Sequence, residues 1–518
     1  MSAREVATRK NRYFDSVFLM AVARRLSEQR GVETAAAVMG SPANKKILID
    51  MGFSAQELDS AGPNDLIVAL EGDENTIRAV TENLEEWLAR PKSELAGGMA
   101  LSLDDALSRQ ADSNLAVISL PGEYAAREAH AALERGLNVF LFSDHVPIED
   151  EIALKKKASE AGLIVMGPDC GTALIAGTGV GFANAVRGGP IGVIASSGTG
   201  LQEVSSLVHR AGSGISHGFG TGSRDLSDEV GGLSTLAAMD ALEVDPGTKV
   251  IAILSKPPAA ATLRRIAKRL NECSKPVAAC FLGLAPDAAP KDLHIRILPT
   301  LDDLATGTLC LLGEKPPASG APTGNRAEAI LREQVKDMAA DQQYVRGLFA
   351  GGTFCYQSQH VLREAGIVVH SNAPLDGMLE IPDGKASVAH SLIDMGADEF
   401  TVGTPHPMID ATQRARRIRV EAQDATVAVL LLDVILGYNA SSDPAGDLAE
   451  AIVDGRRTAA EGNRYLSVVV SVCGTDGDPQ VLERQEETLR EAGAVVFPSN
   501  ALASALARDI VLQRTREG

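Results

Sequence analysis

The sequence predicts an α/β protein made of several parallel-sheet domains, with a small α/β unit at its amino end. Three observations carry this expectation. Short apolar strands alternate with amphipathic helices along most of the chain, the pattern of βαβ units. Aromatic residues make up 4% against 45% hydrophobic residues, so Ala, Val, Leu and Ile must fill the cores. That composition suits sheets covered by helices better than a β-sandwich. The length, 518 residues, exceeds what one core organises, because domains run to ~100–200 residues.

Residues 1–95 read as the small unit: a helix over 16–29, short strands at 34–39 and 65–70, and an amphipathic helix over 76–89. Gly97-Gly98 lies in a linker-like stretch, 91–102. Residues 100–185 follow with strand 115–120, helix 123–135, strand 138–142, helix 148–161 and strand 163–166. A further domain spans 186–314. Strand 191–195 enters Ser196-Ser197-Gly198-Thr199-Gly200, a helix runs from Leu201 to Arg210, and 249–254, 276–281 and 295–298 supply strands. The Pro- and Gly-rich run at 316–324 marks a boundary, within a linker placed at 315–340. In 341–518 the pattern restarts. Gly347–Ala350 leads into Gly351-Gly352-Thr353 and a helix through Arg363, with buried strands at 426–432, 466–472 and 494–497. This last domain reads as a second copy of 186–314.

Charge and cysteines narrow the function classes. The net charge is −19, from 49 basic and 68 acidic residues, and such a surface repels nucleic acid and anionic lipid. Neither partner is expected. The start, Met1–Arg12, lacks the apolar core of a signal peptide, and no run of ~18 apolar residues suggests a membrane span. Six cysteines (170, 273, 280, 310, 355 and 473) show no CxxC spacing. Reduced thiols in the cytoplasm and no metal site are the expectation.

The two Gly-rich turns are the strongest chemical signal. In each, an apolar strand runs through small residues directly into a helix. The first-turn N–H groups of a helix lack intrahelical acceptors, and its dipole places about half a positive charge there. Ser196, Ser197, Gly198, Thr199 and Gly200, with Gly351, Gly352 and Thr353, are therefore candidate phosphate-binding residues. Phosphate, a carboxylate or carbamoyl phosphate would suit them, and facing helix starts would clamp one anion from both sides. The plain alternative is two tight turns with N-caps at Ser197 and Thr353.

Those residues also carry a family resemblance. Residues ~112–310 resemble the α subunit of succinyl-CoA synthetase and its ADP-forming acyl-CoA synthetase relatives, through MGPDC (166–170) and IGVIASSGTG (191–200). Residues ~341–515 resemble the ligase domain of the β subunit, with AGGT (350–353) at the matching helix start. The whole chain resembles the FdrA proteins most closely, through YFDSVFLM (13–20), MGSPANKK (39–46), VGGLS (230–234), SKPP (255–258), VGTPHPMID (402–410) and LLLDVILGY (430–438).

The resemblance implies a degenerate CoA-binding-like Rossmann domain and two flavodoxin-like domains of the succinyl-CoA-synthetase type. The family's phosphohistidine segment has no counterpart in Phe281–Pro286, no GxGxxG stands near 95–125, and no ATP-grasp domain is present. The FdrA resemblance implies a carbamoyltransferase subunit of ureide (allantoin) catabolism. It would act on oxalurate and phosphate to give oxamate and carbamoyl phosphate, with hetero-subunits as partners and oligomeric assembly. CoA is not expected as a ligand under this reading. Two alternatives stay open: a subunit of an ADP-forming acyl-CoA synthetase with a separate ATP-grasp partner, or a non-catalytic scaffold.

Further candidates surround the turns. His406, fixed between Pro405 and Pro407, is a candidate catalytic group with Asp410 as a substrate-binding neighbour, or else a buried histidine bonded to backbone. His217 and Arg224, in or beside a glycine-dense loop, are candidate catalytic or anion-contacting groups, against a loop-packing role and a surface ion pair. Lys256 ends strand 249–254, where ligands of open sheets bind. His370 and His390 read as structural. Cys355 is a minor candidate nucleophile, Cys170 a small core residue, and Asp433 either orients a substrate or caps a turn.

Overall fold

The computed structural model describes residues 2–14, 16–27, 29–89, 100–285, 288–314, 324–381, 386–401 and 404–517. They form two compact units. The first joins Met1–Ser113 to Ala397–Asp410, and the second joins Asn114–Gly396 to Ala411–Gly518.

In the first unit, strands β1 (Ser2–Arg9), β2 (Val32–Met39) and β3 (Leu66–Asp73) make an antiparallel sheet in the order β1-β3-β2. Alternation along β3 explains its two covered faces. Leu66, Val68 and Leu70 pack with Leu19, Val22, Leu26 and Ile77. Ile67 and Ala69 pack on the other face with Leu48, Phe53 and Leu58. Asp73 ends the sheet and caps helix Glu74–Glu82 by accepting from the N–H groups of Asn75 and Thr76, each at 3.1 Å.

The second unit contains three sheets. β4 (Leu115–Ile118), β5 (Asn138–Leu141) and β6 (Val165–Met166) are parallel and in that order. The next sheet comprises β7 (Thr172–Ile175), β8 (Thr178–Gly181), β9 (Gly188–Ala195), β10 (Ile215–Gly220), β11 (Val250–Ser255) and β12 (Val277–Phe281), in the order β12-β11-β9-β10-β7-β8. Phe140 and Met166 of the first sheet share one core with Ile194, Phe219, Ile253 and Phe281 of the second.

The third sheet is parallel throughout. Its strands are β13 (Tyr344–Phe349), β14 (His370–Ser371), β15 (Leu379–Glu380), β16 (Ser391–Asp394), β17 (Val427–Ile435), β18 (Ser467–Cys473) and β19 (Val495–Phe497), in the order β15-β14-β16-β13-β17-β18-β19. Every residue of β17 is buried, as a near-continuous apolar run in a central parallel strand should be.

The sheets led by β9 and β13 repeat one plan. Each leading strand sits inside its sheet, a following strand pairs on one side, and later strands extend the other. Both therefore have a topological switch point, where a crevice opens at the carboxyl ends of the strands.

Two expectations need correction. Ile295–Leu298 is not a strand. It makes one parallel bridge, Ile297 with Ala279, before Pro299, which has no N–H to extend the ladder. The span 315–340 contains helix Asn325–Val335, while its residues 315–323, like 91–99 of the other linker-like stretch, lie outside the described residues.

Candidate functional site

β9 ends at Ala195 and the chain turns into helix Gly198–Arg210. Ser197 is its N-cap, with extended backbone and an Oγ that accepts from the Gly200 N–H at 3.0 Å. A Cβ on Gly200 would lie 2.6 Å from Leu254 Cδ1, so glycine lets the helix start sit against β11. The second turn follows β13 and opens helix Gly352–Arg363 with Gly351 at the cap.

The structure brings the two turns together. Ser197 Oγ and Thr353 Oγ1 form a short hydrogen bond. A Cβ on Gly351 would meet Thr199 Cβ and Cγ2 at 3.2 Å. Lys256 joins them. It leaves β11 beside the first turn, whose Ser196 N–H donates to Leu254 O at 3.2 Å. Its Nζ lies 5.0 Å from the ring centroid of Tyr356, in the opening turns of the second helix.

The two helix starts are chemically unequal. Asp433, fully buried inside β17 two residues before its end, accepts from the Ala350 and Gly351 N–H groups, each at 2.8 Å. Arg414 donates to the same carboxylate at 2.7 Å and also to the carbonyls of Leu348 and Asp433. The second turn is thus braced from below by a buried ion pair, and its free first-turn donors shift to Gly352 and Thr353. Asp394, ending β16, crowds the same start: a Cβ on Gly352 would sit 2.4 Å from its Oδ2. Sequence reasoning left the role of Asp433 open and missed Asp394. Asp394 carries one available signal, an aspartate closing a buried apolar run (SLID), whereas Asp433 is an aspartate inside one (LLLDVIL).

Other candidates fall elsewhere. His217 faces Gly192 in the β10–β9 register, three residues before β9 ends, or ~10 Å back along the strand. Its Nδ1 accepts from the Ala176 N–H at 3.2 Å, and its ring stacks on Phe219. It is not brought to the turns. Arg224 pairs with Glu151 at 2.9 Å and donates to Val146 O at 2.7 Å. Beside it, the buried Lys155 bonds Glu151, Thr221 O and Asp225. Arg224 therefore belongs to a network joining helix Ile148–Glu160 to the loop after β10. His406 and Asp410 belong to the first unit, whereas both turns belong to the second; His406 Nδ1 accepts from the Met408 N–H at 3.2 Å.

Cys355 is buried, and burial followed by Asp394 pushes its thiol far above the usual range. That removes its nucleophilic role. Cys170 is likewise a buried thiol, pushed up to about 12 by burial. His390 is held down at about 4 by burial and by Arg346 and His370. His294, the first histidine after Phe281–Pro286, is exposed, and its backbone N–H donates to Asn271 Oδ1 at the far end of helix Ala260–Glu272.

Residues 348–510 match the family model described as CoA-ligase, and residues 1–102 that described as AllF, heavy metal-associated domain. Over 511 residues the chain is 39% identical to the uncharacterized protein YahF of Escherichia coli K12, covering 98% of each. The chain belongs to that protein's family.

The family sits within the superfamily of FdrA proteins, succinyl-CoA synthetase α subunits and ADP-forming acyl-CoA synthetases. Against the α subunit of the ADP-forming succinate–CoA ligase of Methanothermobacter thermautotrophicus, identity is 27% over 230 residues, 44% of this chain and 76% of that one. ATP citrate lyase from Methanothrix soehngenii, solved with citrate and coenzyme A, aligns over 80% of this chain and 85% of that one. Its identity is 14% and its TM-score 0.34, too loose a superposition to argue from.

These matches correct the expected activity. They are to CoA ligases, and they overturn both the carbamoyltransferase acting on oxalurate and phosphate and the expectation that CoA is not a ligand. Residues 1–102 contain neither cysteine nor histidine, so that segment lacks the thiolate and imidazole groups that soft metals prefer. No helix among the described residues is long and apolar enough to cross a membrane.

Proposed function

We propose that the chain is a subunit of an acyl-CoA ligase of the succinyl-CoA-synthetase type, working in the cytoplasm with a separate nucleotide-binding partner. The observation that carries this reading is the contact of the two helix starts through Ser197 and Thr353, the second of which lies in the segment that matches the CoA-ligase model. Phosphate, free or as the leaving group of an acyl phosphate, would be held by the N–H groups of Gly198, Thr199, Gly352 and Thr353. The Lys256 ammonium would supply the full positive charge that two helix dipoles do not.

The Phe281–Ala285 segment has no histidine, and this shapes the chemistry proposed. The chain would exchange an acyl group between phosphate and CoA directly. The CoA thiolate attacks the acyl carbon, the carbon–oxygen bond to phosphate breaks, and phosphate departs carrying the electron pair. Helix N–H groups stabilise charge developing on its oxygens. CoA would lie outside the carboxyl ends of β4–β6, by the rule for open parallel sheets. The half-exposed Arg224 guanidinium at Val146 offers a cation there for a phosphate arm.

Titration calorimetry of the purified chain with CoA, inorganic phosphate and acetyl phosphate tests the reading. Binding of CoA and phosphate is expected, with phosphate binding weakened at least tenfold in Lys256→Ala. Absence of CoA binding at millimolar concentration, with phosphate still bound, would overturn the ligase assignment and leave the anion site standing. Phosphate binding untouched by Lys256→Ala would remove the lysine from it.

A further inference from the structure

A second cluster of titratable groups lies within the same unit, apart from the proposed site. Four helices meet there: Gly198–Arg210, Leu301–Leu311, Gly352–Arg363 and Asn500–Glu517. The seam is polar. Gln357 accepts from the Leu301 N–H at 2.8 Å and donates to Asn500 Oδ1 at 3.0 Å. Two carboxylates close it. Glu203, 1% exposed, accepts from the Asn500 N–H at 2.8 Å. Asp302 accepts from the Ser499 hydroxyl. Consecutive residues at one helix start thus hold one carboxylate each, and the second oxygen of Asp302 is buried with no hydrogen-bond partner.

The positive charge around the pair is limited. The start of helix Asn500–Glu517 contributes about half a charge. Arg210, on the same helix as Glu203, adds one positive charge that lowers Glu203, while its hydrogen bonds go to the carbonyls of Val472, Gly474 and Pro498. The other groups facing the pair are Asp303, on the Asp302 helix, and Cys473, at the end of β18. Neither Asp303 nor Cys473 adds positive charge. One carboxylate can be balanced; a second would be a buried charge without compensation, which the interior does not tolerate. Both acids are accordingly pushed upward, each by burial first.

We propose that Glu203 and Asp302 hold one proton between them near neutral pH, so that one neutral acid and one carboxylate together fix the start of the Asn500–Glu517 helix onto the helices of the β9-led sheet. The pair occupies none of the phosphate-binding or acyl-transfer positions, so the proposal stands whatever ligand the paired turns take.

Infrared spectroscopy of the full-length chain in heavy water tests it through the carbonyl stretch of a protonated carboxylic acid. One such band is expected at about pH 7, disappearing on alkaline titration. Glu203→Gln and Asp302→Asn should each abolish the band at that pH, because either partner left alone ionises beside the helix start and Arg210. No band in the wild-type chain would overturn the proposal. So would a band that persists, whole or halved, in either variant, since two independent neutral acids behave that way. Asp302→Asn decides, because Glu203→Gln removes the more strongly raised acid in either case; Asp302→Ala replaces it if that variant fails to fold.

Discussion

At Asp433 a carboxylate with no exposed surface takes two backbone N–H groups of the Gly351 turn, and Arg414 neutralises it. Removing one partner strands the other as a buried charge. Asp433→Ala should cost about 3–5 kcal/mol of stability in urea unfolding, whereas replacing Asp433 and Arg414 together by apolar residues should cost far less. At Gly352 the neighbour is Asp394, so Gly352→Ala must push that carboxylate or the helix start aside. Weaker phosphate binding with little change in the unfolding midpoint is expected there, measured by calorimetry beside thermal melts. The turns themselves were legible at this scale, because strand, small residues and helix are a local pattern. Their inequality was not. Asp433 acts across ~80 residues of sequence, and nothing in LLLD says which turn the aspartate will brace.

Among elements, helix Gly198–Arg210 begins three residues earlier than its apolar periodicity predicts, at Gly198 rather than Leu201. Periodicity starts with the first side chain that packs, and Gly198 and Gly200 have none. Ser197→Ala removes both the cap and the bridge to Thr353. It should cost about 0.5–2 kcal/mol. Thr353→Val removes only the bridge, so the difference between the two melting curves isolates the cap. Most strands of the parallel sheets were legible as apolar runs. Strand β1 was not: SAREVATR is an edge strand in which polar residues share both faces with Ala3, Val6 and Ala7, and its composition resembles a tail.

At the scale of the whole molecule, the Glu203–Asp302 pair links stability to pH. Burial and Asp302 raise Glu203 to about 8. A raised carboxyl contributes stability fully present below the ordinary carboxylate range and lost as pH climbs through the raised value. The unfolding midpoint should therefore decline between about pH 5 and pH 8, and Glu203→Gln should flatten that slope. A slope unchanged by the variant would place the pH dependence elsewhere.

The compact unit that contains residues 1–95 is discontinuous in sequence. Ala397–Asp410 belongs to it although nearly three hundred residues intervene. Within that unit Met408 and Ile409 are buried, and Arg24 donates to Ile409 O at 2.7 Å. Nothing local in the sequence announces this return. It has a consequence for synthesis on the ribosome. The amino-terminal unit emerges first, yet it lacks part of its own core until the segment ending at Asp410 is made, about 15–60 s later at ~5–20 residues per second. During that interval the earliest part of the chain waits for one of the last, and completion of the first unit is timed by translation of the second.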